Sequence, residues 1–162
     1  HSIRRRQRQM CIRDSSNIIL SNFRSHEKFT INSNSKNIVL FGKNGVGKTN
    51  ILESISLLSP GRGLRNAKNE EIINKNTNTD YGLSANLQFD NNSIKIKKTY
   101  LRDETKKSNL FIDDEKSKTA DLLNFLRVIW VTPVMEKIML QSNSERRNFF
   151  DRLIFNLSLI HI

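Results

Sequence analysis

The stretch FGKNGVGKTN, residues 41–50, constrains this chain more than any other part of its sequence. Residues 42–49 fit the pattern G-x-x-x-x-G-K-[ST] at every fixed position. Glycines in such a loop let successive backbone N–H groups turn inward around a phosphate, and the helix that follows adds the positive end of its dipole. The pattern has this meaning only when it lies between a buried strand and a helix.

Both neighbours of the loop have the required character. The continuous apolar run NIVLF, Asn37–Phe41, predicts a strand buried on both faces. After the loop, apolar side chains recur at helical spacing, at Ile51, Leu52, Ile55 and Leu58. The sequence therefore predicts a strand–loop–helix unit that binds a nucleoside triphosphate.

The side chains of the loop also have predicted roles. Lys48 is expected to reach the β- and γ-phosphates as a point charge, and the Thr49 hydroxyl is expected to bind Mg²⁺. The residues predicted to hold the nucleotide are Gly42, Lys43, Asn44, Gly45, Val46, Gly47, Lys48 and Thr49.

Composition narrows the class of protein without identifying a partner. The 162 residues, 36% of them hydrophobic, are typical of one globular domain. The formal charge of +11 fits either a nucleic-acid partner or charge spread over solvated faces, and charge alone does not separate the two. The single cysteine, Cys11, excludes an internal disulfide framework and favours a reducing compartment. No apolar run approaches the roughly 20 residues of a membrane span, so we expect a cytoplasmic protein with no membrane partner.

The two ends have a different character from the rest of the chain. HSIRRRQRQMCIRDS, residues 1–15, has no strand or helix periodicity and is similar to translated sequencing-adapter sequence, so a non-native leader is expected there. The alternative is a basic DNA-binding arm. A non-native tail is expected at 158–162, which leaves 16–157 for fold reasoning.

Between these ends the pattern alternates short strands and helices. NIILSNF and EKFTINS predict a hairpin around the turn RSH, and YGLSANLQF and SIKIKKTYL predict a second hairpin with one wet face. NLFID predicts a further strand followed by a turn at 113–116, and VIWVT a buried strand. TADLLNFL, PVMEKIML and SNSERRNFFDRLIFNL predict helices, the last with Ser144 as a possible N-cap.

Three separated segments, in order, resemble one known family. The arrangement F-G-x-N-G-x-G-K-T-N-x-L-E-x-I, preceded by LSNFRSH, resembles the DNA-repair branch of the ABC-type ATPases, which contains the RecF, Rad50 and SMC families. SPGRGLRNAKNEEII and IWVTPVMEKIMLQSNSERRNFFDRLI are similar to the RecF family in particular. The resemblance implies an α/β fold, a P-loop NTPase of ABC-ATPase head type, with a mixed sheet and an antiparallel β subdomain. Residues 16–157 would be its N-terminal, incomplete part, with a helical lobe beginning at about 119.

The resemblance also implies an activity for the complete protein. Members of the family bind ATP with Mg²⁺ and form a homodimer around it. They clamp double-stranded DNA near single-strand gaps and assist recombinase loading with RecO- and RecR-type partners, in DNA replication, recombination, repair and the SOS response.

Some basic residues acquire candidate roles from the same resemblance. Arg24, in the strand-end segment NFRSH, would contact the phosphates or adenine, or else be a solvated turn residue. Arg62, Arg65 and Lys68 would contact DNA phosphates without reading sequence, or else belong to a solvated loop. Lys95, Lys97 and Lys98 fall partly on the wet face of the second hairpin, and would face DNA in the dimer or else belong to a solvated strand face.

Other members of the family pattern remain open. Glu53, with Asn50, belongs to the signature on the helix after the loop, and supports the loop or is an exposed helix residue. Arg146 and Arg147 would contact DNA or nucleotide, or Arg147 would pair with Asp151 four residues further along the helix.

The groups that hydrolyse ATP are not apparent in this sequence. An ABC-type ATPase also needs a signature loop, a carboxylate-bearing strand that holds Mg²⁺, and a glutamate that orients water. The acidic segment LFIDDE, 110–115, is predicted to be a hairpin turn instead of the Mg²⁺ strand. We therefore expect weak ATPase activity of the complete protein, nucleotide binding at most for these 162 residues, and no catalytic residue among them.

The sequence disfavours two alternative classes of protein. A Rad50- or SMC-like head would continue into a long heptad-patterned helix, whereas 119–157 shows short broken elements. A small P-loop kinase would need an acidic group for its acceptor and a lid, and the basic loop after Leu58 disfavours both.

Overall fold

The fold is taken from a computed structural model, which describes residues 16–35, 37–77, 79–89, 92–102, 108–133, 135, 138 and 142–158. The predicted leader and the last four residues of the predicted tail lie outside this part of the chain. The elements in chain order are β1 (Ser16–Phe23), β2 (His26–Ser33), α1 (Lys48–Ser56), α2 (Asn69–Ile72), β3 (Tyr81–Phe89), β4 (Asn92–Tyr100), β5 (Ser108–Ile112), β6 (Glu115–Ser117), a 3-10 helix (Thr119–Asn124) and α3 (Asn143–Ser158). None of the described helices is long and apolar enough to cross a bilayer.

The strands form one six-stranded sheet in the order β2-β1-β3-β4-β5-β6. Every described strand pair is antiparallel. The predicted α/β class is confirmed, and these strands correspond to the antiparallel part of the predicted sheet. Parallel pairing, which a mixed sheet also requires, is not found among the described strands.

Both predicted hairpins are confirmed, with ends close to those read from the sequence. In the first, Phe23 pairs with His26 across a two-residue turn in which Arg24 has φ of 54°. In the last hairpin, Asp113 and Asp114 both have positive φ, as the tight turns that suit twisted strands require. The aspartates of LFIDDE therefore form a hairpin turn between β5 and β6, as predicted.

The core lies on one face of this sheet. Alternate residues of β3 and β4 are buried, and they pack with Ile51 of α1 and with Leu58 and Ile72 from the segment that follows it. Phe23 meets Tyr81 edge-to-face at 5.7 Å, and Tyr81 stacks on Tyr100 at 5.6 Å. Aromatic side chains thus fill the space beneath the first hairpin turn.

Two strands that the sequence predicts to be buried are not formed, so these predictions are wrong for this structure. Neither 37–41 nor 128–132 forms a strand, and the apolar side chains of Val39, Phe41 and Val131 are 81%, 90% and 76% exposed. A strand needs a partner for its backbone hydrogen bonds, and no described strand lies beside either segment. The local sequence favours an extended chain, but pairing depends on tertiary context.

The helix predictions fare better. The 3-10 helix replaces the short α-helix predicted at TADLLNFL, and α3 begins at Asn143, one residue before the predicted cap Ser144. Of the predicted helix PVMEKIML, the described residues Pro133, Met135 and Ile138 are 3-10 helical. The short helix α2 was not predicted from the sequence.

Candidate nucleotide-binding site

The loop at 42–49 has the backbone that its glycines predict. Gly42, Gly45 and Gly47 have φ of 144°, 87° and 97°, a region that side chains with a Cβ rarely occupy. The chain then enters α1 at Lys48, with Gly47 as the N-cap and no side-chain cap on the first turn. Asn50 N–H already donates to the Gly47 carbonyl oxygen at 2.9 Å, so the N–H groups of Lys48 and Thr49 are the ones left for a phosphate, together with the positive end of the helix dipole.

Lys48 folds back over this loop. Its ammonium donates to the carbonyl oxygens of Gly42 and Lys43, each at 2.7 Å. These contacts hold the charge at the loop, where a phosphate oxygen can replace a carbonyl as its acceptor. Thr49, the predicted Mg²⁺ ligand, is exposed in the same helical turn.

The β1–β2 turn packs directly against the end of the loop. His26 Nε2 lies 3.3 Å from the Gly47 carbonyl oxygen, and Asn50 Nδ2 donates to Ser25 Oγ at 2.9 Å. A Cβ built on Gly47 would lie 2.5 Å from His26 Nε2 and 2.7 Å from Ser25 Oγ. Any other residue at position 47 would have to displace these two side chains and would also be strained by the positive φ.

A buried carboxylate joins the turn, the helix and the basic loop. Glu53 of α1 is fully buried, and its oxygens accept from Arg24 Nη2 at 2.6 Å, Arg24 Nε at 3.0 Å and Arg65 Nη1 at 2.7 Å. Arg24 also donates to the Glu71 carbonyl oxygen, and Arg65 donates to Asn50 Oδ1 at 2.8 Å. Of the two interpretations of Glu53, an exposed helix residue is excluded. Its contacts support the loop only indirectly, through the turn.

These contacts show which of the basic residues with predicted roles are already engaged in ion pairs. Arg24 lies at the turn beside the loop, as the resemblance implied, but its guanidinium is bound to Glu53. Arg62, Arg65 and Lys68 are all exposed, but of these three only Arg65 takes part in a described ion pair, through the same carboxylate. At the far end of the chain, Arg146 donates to Asn143, and the described contacts include no Arg147–Asp151 ion pair.

Lys98 is the lysine of β4 whose inward position the sequence analysis did not identify. Lys95 and Lys97 are exposed as expected, but Lys98 is only 5% exposed and lies in the core-facing row of β4. Its ammonium donates to the Leu57 carbonyl oxygen at 2.9 Å, and burial lowers the pKa of Lys98 to about 8. Strict alternation along SIKIKKTYL was the signal that could have found it, because Lys98 has the same parity as Ile94 and Ile96.

A resident metal cluster is not found in the described part of the chain, where no three His, Cys, Asp or Glu side chains come together. A Mg²⁺ ion at the loop would instead be held by the nucleotide phosphates and by Thr49. Uncapped helix N–H groups, an ammonium at the loop and an exposed hydroxyl in one helical turn fit a magnesium nucleotide.

The antiparallel sheet, the loop and the helix that follows it are those of a P-loop NTPase head of the ABC-ATPase type. Of the two neighbours that the loop pattern requires, the helix is present and the strand at 37–41 is not formed in this structure. The family model described as RecF/RecN/SMC N terminal domain matches residues 15–135, and the chain belongs to that family.

Individual relatives agree with this assignment. The chain is 36% identical over 148 residues to "DNA replication and repair protein RecF" of Rhizobium rhizogenes, and 34% identical over 143 residues to the protein of that name from Caulobacter vibrioides. These alignments cover 90% and 85% of this chain, which spans only 40% and 37% of the two relatives.

Solved structures give the same fold. The chain is similar to a RecF–ATP complex of the RecFOR pathway, with 26% identity and a TM-score of 0.75 over 93% of this chain and 40% of that one. It also resembles an SMC ATPase studied for ATP-driven dimerization, with 17% identity and a TM-score of 0.63 over 86% of this chain and 99% of that one. The SMC similarity shows the fold alone.

Proposed function

We propose that this chain is the nucleotide-binding part of a RecF-type DNA replication and repair protein, and that it binds ATP with Mg²⁺ through residues 42–49. The observation that carries the proposal is the Lys48 ammonium held over a glycine loop at an uncapped helix N-terminus. The curated relatives named for DNA replication and repair, and the RecF–ATP structure, support the same assignment.

In this proposal the loop grips the phosphates and the hairpin turn shapes the loop. Backbone N–H groups of α1 and the Lys48 ammonium bind phosphate oxygens, while Thr49 binds the metal. Arg24 contacts the nucleotide only if its guanidinium turns away from Glu53, which now engages it at two points. Its first role is therefore to fix the turn beside Gly47.

The DNA-related part of the proposal rests on the basic loop after α1. Arg62 and Lys68 are exposed and free of ion pairs among the described contacts, which suits contacts to backbone phosphates. Arg65 would have to break its ion pair with Glu53 before it could bind a DNA phosphate. In the complete protein, ATP would join two heads into a homodimer that clamps double-stranded DNA near gaps, with RecO- and RecR-type partners. Weak ATP hydrolysis would reset the clamp.

Nucleotide binding is tested on this chain with a fluorescent ATP analogue in Mg²⁺ buffer. Lys48→Ala should weaken binding by at least about tenfold, since a charge-assisted contact to phosphate is lost. Lys116→Ala removes an equal charge from an exposed position on β6, outside the loop, and should change affinity by less than about threefold. Equal affinity of the Lys48→Ala and unchanged proteins would refute the nucleotide assignment.

The clamp is tested on the gene extended to the length of its relatives. Retention on gapped duplex DNA should require ATP and should disappear in Lys48→Ala. DNA binding of the same strength with and without ATP would contradict an ATP-dependent clamp, and would leave nucleotide binding itself intact.

A further inference from the structure

A cleft of about 330 Å³ lies outside the nucleotide loop, between β4 and the segment that follows α1. Its lining includes Leu57, Arg62, Lys68, Glu70, Lys98 and Ser108. A volume of this size suits a small ligand or one group of a larger one.

Lys98 is the least expected member of this lining. It occupies a position in β4 where its neighbours in the same row, Ile96 and Tyr100, are completely buried. An ammonium carries three donors, and the described contacts give Lys98 one acceptor, the neutral carbonyl oxygen of Leu57. Burying a charge with so few partners is costly, which makes an additional anionic partner favourable.

The other charged groups of the cleft favour an anion. Arg62 and Lys68 bring two further positive charges, and Glu70 brings one negative charge, so with Lys98 the balance is three minus one, or +2. Asn69, also in the lining, accepts a hydrogen bond from the Tyr81 hydroxyl through its Oδ1 at 2.9 Å. Ser108 adds a hydroxyl that can donate to an oxygen.

We propose that this cleft binds one phosphate group, with the Lys98 ammonium, Arg62 and Lys68 as its donors. Phosphate fits better than a carboxylate because its several oxygens accept from donors on different sides, and because its charge of up to −2 matches the cleft. The phosphate could come from a free small molecule or from the DNA backbone. The site is separate from the nucleotide loop, and only its DNA source rests on the function proposed above.

The test uses this chain with Lys48→Ala in the background, so that the nucleotide loop contributes little to phosphate binding. Inorganic phosphate is titrated by calorimetry, and the bound ion is followed by phosphorus NMR. Lys98→Met should weaken phosphate binding by at least about tenfold, since it removes the buried charged donor while keeping a long side chain. Lys97→Met is the matched control, because it removes the same charge from the exposed face of the same strand, and it should leave the affinity unchanged.

Equal phosphate affinity in the Lys98→Met and Lys97→Met proteins would overturn the site and leave Lys98 as a partner of Leu57 alone. If Lys98→Met does not fold, the double variant Arg62→Ala/Lys68→Ala decides, because both residues are exposed. Weaker phosphate binding in that variant supports the site, and unchanged binding overturns it. A short DNA duplex that displaces the bound phosphate identifies the backbone as the source, whereas a duplex that binds without displacing it identifies a free ligand. These outcomes are independent of ATP affinity, so the two proposals can fail separately.

Discussion

The guanidinium of Arg24 and the carboxylate of Glu53 form a two-point ion pair, with Nη2 2.6 Å from Oε1 and Nε 3.0 Å from Oε2. The pair connects the β1–β2 turn to the helix that begins at the nucleotide loop. Because Arg65 shares the same carboxylate, the basic loop after α1 is attached to the same point. One buried side chain thus fixes three chain segments that are distant in sequence.

Glu53→Gln should therefore destabilise the fold. The substitution keeps the shape of the side chain but removes the charge that compensates two guanidinium groups, and it points an amide N–H₂ toward one of them. We expect a loss of about 2–3 kcal/mol in the free energy of unfolding, below the range for fully buried pairs because both arginines are partly exposed. Urea denaturation measures it.

The control for that experiment is Glu27→Gln on β2, an exposed carboxylate outside the described ion pairs. It should change the free energy of unfolding by less than about 0.5 kcal/mol. If both variants lose the same small amount, the Arg24–Glu53–Arg65 cluster contributes nothing to stability.

Gly47→Ala should impair nucleotide binding more than Gly45→Ala. The two glycines have similar φ, 97° and 87°, so an alanine meets comparable backbone strain at both positions. At position 47 the new Cβ also clashes with His26 and Ser25, whereas at 45 nothing lies within 4 Å. Titration with a fluorescent ATP analogue should show a gap of at least about tenfold between the variants.

A second substitution separates sterics from strain at that position. His26→Ala in the Gly47→Ala protein removes the closest clashing atoms and should restore part of the affinity for the analogue. Absence of any rescue, or equal defects at positions 45 and 47, would show that the turn does not constrain the loop.

Local sequence predicted those parts of the fold whose partners are close in sequence. The hairpins 16–33 and 81–100 were found because alternation and turn residues specify both the strands and their pairing. The loop at 42–49 was found because glycine spacing specifies its backbone. Glu53 had no comparable signal: its burial depends on two arginines brought by other segments, which no periodicity within α1 reveals.

Segment 37–41 is a case in which the local sequence predicted a strand that the structure does not form. Its apolar run predicts a strand buried on both faces, yet Phe41 is 90% exposed. Phe41→Ala should therefore change the free energy of unfolding of this chain by less than about 0.5 kcal/mol. Phe23→Ala is the matched substitution at a residue with no exposed surface, and it should cost about 3–5 kcal/mol. A loss of more than about 1 kcal/mol in Phe41→Ala would show that the segment is packed in solution.

Lys98 gives the stability of the chain a specific pH dependence. Burial lowers the pKa of Lys98 from 10.5 to about 8, so between these values the unfolded chain binds more protons than the folded one. The free energy of unfolding should therefore rise with pH across this window, by up to about 3 kcal/mol from this group. Below about pH 8 the ammonium is charged in both the folded and the unfolded chain, so the folded chain bears the full free-energy cost of burying the charge. The other charged groups that line the same cleft are Arg62, Lys68 and Glu70.

Two buried tyrosines limit this rise in stability at high pH. Burial raises the pKa of Tyr81 and of Tyr100 above the ordinary value of 10.0, so their hydroxyls keep protons that the unfolded chain loses, and stability should fall above about pH 10. Urea denaturation at about pH 7, 9.5 and 11 should therefore show a maximum at the middle value. Lys98→Met should abolish the rise and keep the fall, whereas Lys97→Met should retain both. If the free energy of unfolding still rises between about pH 7 and 9.5 in Lys98→Met, the rise is due to another group.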